Sequence, residues 1–116
     1  MDGRALRGLL AECKKLVGYD GDVKLRLRAY KTKAAAAHLR RREVVINSQL
    51  LGLDEDALRY LLIHELVHLK LGKRHHDAEF NKVLYSLVPP ERVEEARRRI
   101  LEILLTSWRK SLDRFF

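Results

Sequence analysis

The chain has 116 residues, 47% of them hydrophobic and 34% charged, which gives room for one domain with a single core and shows no sign of disorder. Basic residues outnumber acidic ones by 24 to 16, a net charge of +8 that would draw in a polyanion or an anionic membrane surface without specificity. No apolar run is long enough to span a bilayer, and the single cysteine, Cys13, excludes an intramolecular disulfide and a cysteine metal cluster. The N-terminal Met1-Asp2-Gly3-Arg4 lacks the apolar centre of a signal peptide, so a cytoplasmic protein is expected. A composition rich in Arg and Leu and poor in Asn and Gln fits a thermophilic source. The basic residues are spread along the chain, with the tightest runs at Arg40 to Arg42 and Arg97 to Arg99. No recognition-helix or aromatic stacking pattern accompanies them, so both runs read as solvated surface and no stable nucleic-acid partner is expected.

Residues 2–17 predict an amphipathic helix: Asp2 can cap it, Ala5, Leu6, Leu9, Leu10, Cys13, Leu16 and Val17 recur at helical spacing, and Gly18 ends it. Cys13 then packs as a small hydrophobe. From Val23 to Tyr30 the pattern alternates, with Val23, Leu25, Leu27 and Ala29 on one face, as in a half-buried strand. Ala34 to Ala37 favours helix by propensity, but Val44-Val45-Ile46 favours strand. A hairpin of strands 33–39 and 43–46, joined by the Arg40 to Arg42 turn, is predicted over a short alanine helix. The small side chains at Ala34 and Ala36, with His38, would leave that strand's backbone open to an extended peptide. Asp54 predicts the N-cap of a helix over 55–71 that ends at Gly72. A further helix runs from near His76 or Asp77 to Leu87, where Pro89-Pro90 stops it. The last helix begins near Pro90 or Glu91, with Val93, Ala96, Ile100, Leu104, Trp108, Leu112 and Phe115 along one face. The sum is an α+β fold: a small three-stranded sheet packed on an N-terminal helix and on helix 55–71, followed by two C-terminal helices.

Helix 55–71 contains His64-Glu65-Leu66-Val67-His68, an H-E-x-x-H sequence. Four residues apart, the two imidazoles project from one face and can reach one metal ion, while Glu65 can touch a water on that ion without ligating it. The pattern alone would arise by chance about 2% of the time in such a composition. Its surroundings sharpen it: Leu58, Leu61, Leu62, Ile63, Leu66, Val67 and Leu69 make the helix apolar on nearly all sides. Burying two imidazoles and a carboxylate there without partners costs several kcal/mol on a rough desolvation scale, and a cation removes that cost. The motif therefore reads as a zinc hydrolase site. Catalytic zinc takes three protein ligands and one open position, and His75, His76 and Glu79 are the downstream donors from which the third could come.

The segments Val44-Val45-Ile46-Asn47-x-x-Leu50-Leu51, Leu61-Leu62-Ile63-His64-Glu65-Leu66-Val67-His68-Leu69 and His76-x-x-x-Phe80 resemble the signature of small SprT-like and YgjP-like metallopeptidases. In overall size the likeness is to the minigluzincins, small thermophile proteins similar to the catalytic domains of HtpX-like membrane proteases. The resemblance covers most of residues 20–90 and implies a zinc metallopeptidase acting on peptides or proteins. It implies Zn2+ held by His64, His68 and His76, with Glu65 as general base. His38, His75, Tyr60 and Tyr85 are the candidates for oxyanion support. The resemblance also implies a catalytic core over 1–90 and a C-terminal segment, 91–116, that keeps a zymogen latent, in a monomer or a helix-swapped homodimer. Two departures stand out. Lys33-Ala34-Ala35-Ala36-Ala37 replaces the Arg-Trp-Gly-Ser-Cys-like segment usual in YgjP-like proteins, and the nucleic-acid module usual in SprT-like proteins is not seen. A zinc-stabilised binding or regulatory module, or a protease associated with nucleic acid, are the rival expectations.

Overall fold

The structure, a computed structural model, describes residues 1–113, with side chains through residue 110. Helix α1 (Gly3–Val17) begins where Asp2 accepts the Ala5 N–H at 2.8 Å and ends where Gly18 turns left-handed at φ 77°. Leu6, Leu9, Leu10, Cys13 and Val17 are buried. Leu16, expected among them, is 54% exposed, because at the helix end Val17 occupies the inward position.

Three strands follow: β1 (Lys24–Arg28), β2 (Ala35–His38) and β3 (Glu43–Asn47). Their order is β1-β3-β2, with β3 parallel to β1 and antiparallel to β2. The predicted hairpin is present, closed by Arg42 at φ 49°, and pairing with the wholly buried β3 overrides the helical propensity of the alanine row. Strand β1 is shorter than the predicted 23–30, and Leu27 on its inward face is 39% exposed, since an edge strand is covered along one side only. Asn47, fully buried, donates from Nδ2 to the carbonyls of Tyr30 at 3.0 Å and Lys33 at 2.8 Å and accepts the Gln49 N–H at 3.0 Å. One amide therefore pins the β1–β2 connection and opens a short 3-10 turn, Ser48–Leu50.

Helix α2 (Glu55–Leu71) is the hub, packed on by α1, β2, β3, α3 (Ala78–Leu87) and α4 (Pro90–Asp113). Asp54 sits at its N-cap position, but its carboxylate makes no cap bond and pairs with Arg99 Nη1 at 2.7 Å. That contact lowers the Asp54 pKa and shows that the Arg97 to Arg99 run is not simply solvated. Helix α3 is capped by Asp77, which accepts the Phe80 N–H at 3.0 Å. In α4, Val93, Ala96 and Ile100 join the core and Leu104 packs partly against it, whereas Trp108 is 48% exposed. Leu112, Phe115 and Phe116 lie outside the residues whose side chains are described. The architecture is α+β, and among the described residues no helix is long and apolar enough to cross a membrane.

Replacing Asn47 by Ala removes three hydrogen bonds and leaves two carbonyls short of a donor. The expected loss is about 2–3 kcal/mol of unfolding free energy. Urea denaturation measures it, and a change below about 0.5 kcal/mol would show that the connection is held by something else.

Candidate active site

Helical spacing brings His64 and His68 to a ring-centroid distance of 5.1 Å on one face of α2. The chain then reverses at Gly72, left-handed at φ 64°, and returns so that the residue just before the Asp77 cap, His76, lies 4.8 Å from both rings. One donor nitrogen from each of the three falls within 4.8 Å of the others. Phe80, fully buried, backs the cluster, with its centroid 5.1, 4.4 and 4.6 Å from His64, His68 and His76.

Hydrogen bonds orient the rings. His68 Nδ1–H donates to the Lys73 carbonyl at 2.9 Å, which leaves the Nε2 lone pair directed at the cluster. His64 Nδ1–H donates to Glu65 Oε1 at 3.1 Å. His76 Nε2 and His68 Nε2 are 3.0 Å apart, a contact that two lone pairs tolerate only with a proton or a cation between them. Partial desolvation, then the charges of His64 and His68, lower the His76 pKa and so favour the neutral, ligand-competent ring. The donor set fits a metal ion.

The other downstream candidates stand apart. His75 is exposed outside the cluster, and Glu79 is turned to Lys73 at 3.2 Å. Along the unpaired edge of β2 runs a groove in two halves that share Ala35, His64, Glu65 and His76. The larger, about 560 Å³, is walled by Ala34, Tyr60 and Leu61 and by Arg97, Ile100, Leu101 and Leu104 of α4. The smaller, about 240 Å³, is walled by Ala36, Ala37, Leu39, His68 and Arg74. Of the residues expected to meet a peptide, Ala34 and Ala36 line the groove and His38 does not. Of the oxyanion candidates only Tyr60 lines it, its hydroxyl accepting from Arg97 Nε at 3.1 Å. Arg97 and Arg74 were invisible in the sequence, where nothing separates a groove-facing arginine from the other surface cations. A third cavity, about 430 Å³, lies between α1, α2 and α4 away from the imidazole cluster.

An H-E-x-x-H helix, a third imidazole brought in by the following loop and a groove under a free strand edge define a metallopeptidase, a hydrolase of peptide bonds. The comparisons agree. Residues 4–102 match the YgjP-like metallopeptidase domain, and the chain belongs to that family. An uncharacterised protein of Aquifex aeolicus is 40% identical over 83 residues, 71% of this chain and 74% of its own. The crystal structure of the metallopeptidase zymogen abylysin of Pyrococcus abyssi superposes with a TM-score of 0.77 at 32% identity, covering 84% of this chain and 92% of abylysin. The zymogen jannalysin of Methanocaldococcus jannaschii shares the fold at a TM-score of 0.76 and 20% identity, over 85% of this chain and 96% of its own. The likeness to abylysin supports the minigluzincin resemblance, and that to jannalysin supports the fold.

His76 has an ordinary pKa of 6.5 that folding lowers, so the unfolded chain takes up this proton first. The contribution is fully present above that value and is lost as pH falls toward the folded pKa. The metal-free protein should therefore be less stable at about pH 5.5 than at about pH 7.5, by a margin that shrinks in His76→Asn. Urea midpoints at both pH values test this, and an equal drop in wild type and variant would refute it.

Proposed function

We propose that the chain is a zinc peptidase whose His64, His68 and His76 hold Zn2+ and whose Glu65 is the general base. The observation that carries this reading is the convergence of three imidazoles within 4.8 Å beside a 6%-exposed Glu65 in a groove along a free strand edge. An all-imidazole set suits zinc, and the 3.0 Å between His68 and His76 is close to the roughly 3.3 Å that tetrahedral bonds of about 2.05 Å require. Bound there, zinc supplies Lewis acidity, bringing the pKa of a coordinated water toward about 7 and polarising the scissile carbonyl.

The chain's own residues do the rest. The backbone of β2, kept accessible by Ala34 and Ala36, pairs with an extended peptide and lays it along the groove. Glu65 takes the proton of the attacking water and passes it to the leaving amine. The Lys73 carbonyl keeps His68 in one tautomer. Tyr60, held by Arg97, is placed to support the oxyanion.

Residues 1–90 act as the catalytic core and 91–116 as a latency segment. Two observations support that division. Helix α4 walls the larger half of the groove, and past Ile100 it presents Leu101, Leu105 and Trp108 to solvent, an apolar stripe suited to covering by its own domain or by a second copy. Abylysin and jannalysin, moreover, are described as zymogens.

Glu65→Ala should keep one bound zinc and lower hydrolysis of a quenched-peptide library by at least about 100-fold; retained hydrolysis would sink the mechanism. A chain ending at Ser107 should cleave that library faster than the full chain. If both bind zinc and neither cleaves, the protein is a zinc-stabilised binding module instead.

A further inference from the structure

Basic residues occur along the whole chain, but the excess of positive charge does not. Between Val23 and Arg42 there are eight basic residues and no acidic one, so this segment alone accounts for the net charge of +8. Sixteen basic and sixteen acidic residues balance over the rest of the chain. The segment contains β1, β2 and the loops that frame β2: Lys31 and Lys33 before it, Arg40, Arg41 and Arg42 after it. The carboxylate at the start of β3, Glu43, is buried and faces Arg26 at 3.5 Å, so it offsets one of these charges and leaves the others bare.

The groove repeats the pattern locally. The charged side chains lining its larger half are Lys33, Arg97 and Glu65, and those lining its smaller half are Arg74 and Glu65. Among the described residues, Lys33, Arg97 and Arg74 have no carboxylate within salt-bridge distance. Lys33 lies 6.0 Å from the Tyr30 ring centroid and Arg97 bonds the Tyr60 hydroxyl. Elsewhere on the same surface Arg59, Lys73 and Arg99 each hold two carboxylates. The cations at the two ends of the groove are thus unneutralised, on either side of the imidazole cluster.

We propose that the groove selects peptides carrying Asp or Glu on both sides of the scissile bond, with Lys33 and Arg97 receiving the acidic residue at one end and Arg74 at the other. The proposal rests on the peptidase reading and on β2 as the strand that pairs with substrate. Cations of one sign in a cleft with low-dielectric walls focus the field on an incoming anion and raise its local concentration. A peptide is favoured over a nucleic-acid strand because the larger half is walled by Leu61, Ile100, Leu101 and Leu104, which suit apolar side chains, and Tyr60 is the one aromatic ring lining it besides the imidazoles.

The test uses the zinc-loaded chain carrying Glu65→Gln, so that peptides bind without being cut, both at full length and ending at Ser107, because the proposed latency segment would cover the groove of the full chain. Three labelled peptides share an apolar centre and carry Glu, Gln or Lys at the flanking positions; fluorescence anisotropy gives each Kd. The Glu peptide should bind about tenfold more tightly than the Lys peptide at about 50 mM salt, with the gap closing toward 1 M as screening shortens. Lys33→Glu and Arg74→Glu should each narrow it severalfold, whereas Arg4→Glu, the same charge change on α1, should leave it alone. Equal binding of the Glu and Lys peptides overturns the proposal, as does binding of none of them by either form of the chain. So does an effect of Arg4→Glu matching that of Arg74→Glu, or a single-stranded oligonucleotide that competes as well as the Glu peptide. Hydrolysis by the wild-type chain is read separately: cleavage without acidic preference refutes the specificity alone, and acidic-peptide binding without cleavage refutes the activity alone.

Discussion

The structure turns on one conflict inside α2. Eleven of its residues are buried, and two of those, Glu65 and His68, are polar, with His64 mostly covered beside them. Unpartnered, such groups would cost several kcal/mol, roughly the margin by which a domain of this size is stable. The conflict is resolved by giving α2 two kinds of neighbour. Helix α1, strand β3 and the first turns of α4 cover its apolar sides, and the polar side is met by the Lys73 carbonyl, His76 and Phe80. Each of the latter comes from the stretch directly after the helix, so the site is built within a short span of chain on a scaffold contributed by the rest.

That short span depends on two local devices. Gly72 reverses the chain in a conformation that costs other residues about 1 kcal/mol or more, and Asp77 starts α3 one residue after His76. The placement of the third imidazole follows from the cap: α3 cannot begin earlier without drawing His76 into the helix, nor later without releasing Phe80 from the three rings. Lys73 ties the same turn from outside, bonding Asp77 at 2.9 Å and Glu79 at 3.2 Å, which is why Glu79 points away from the imidazoles.

Elements governed by local chemistry were legible in the sequence. The helix ends at Gly18 and Gly72, the hairpin around Arg40 to Arg42 and the start of α3 follow from turn and cap residues, and the paired histidines follow from helical spacing. What was not legible depends on partners distant in sequence. Asp54 has the residue type of a cap, yet Arg99, on another helix, takes its carboxylate. Leu27 has the alternation of a buried residue, yet its strand lies at a sheet edge. His38 shares β2 with Ala35 to Ala37 but pairs in register with Glu43 and lies off the groove. Spacing alone left His75, His76 and Glu79 open, because the three are within about one turn of each other; the path of the loop brings His76, the residue the resemblance implied, beside His64 and His68.

Helix α4 combines functions that pull against each other. Val93, Ala96 and Ile100 are buried, so the helix cannot leave as a unit without opening the core. Leu101 and Leu104, the next residue and one turn on, wall the groove, and Trp108 beyond them is about half exposed. Any conformational change that uncovers or covers the groove would therefore involve the part of α4 after Leu104, since Ile103 and Leu104 still pack against the core. In the proposed latent form, the exposed face at Leu101, Leu105 and Trp108 would close on its own groove or reach that of a second copy. These two arrangements would differ in which copy supplies the stripe and not in the contacts the stripe makes, so protein concentration would be the variable that decides between them.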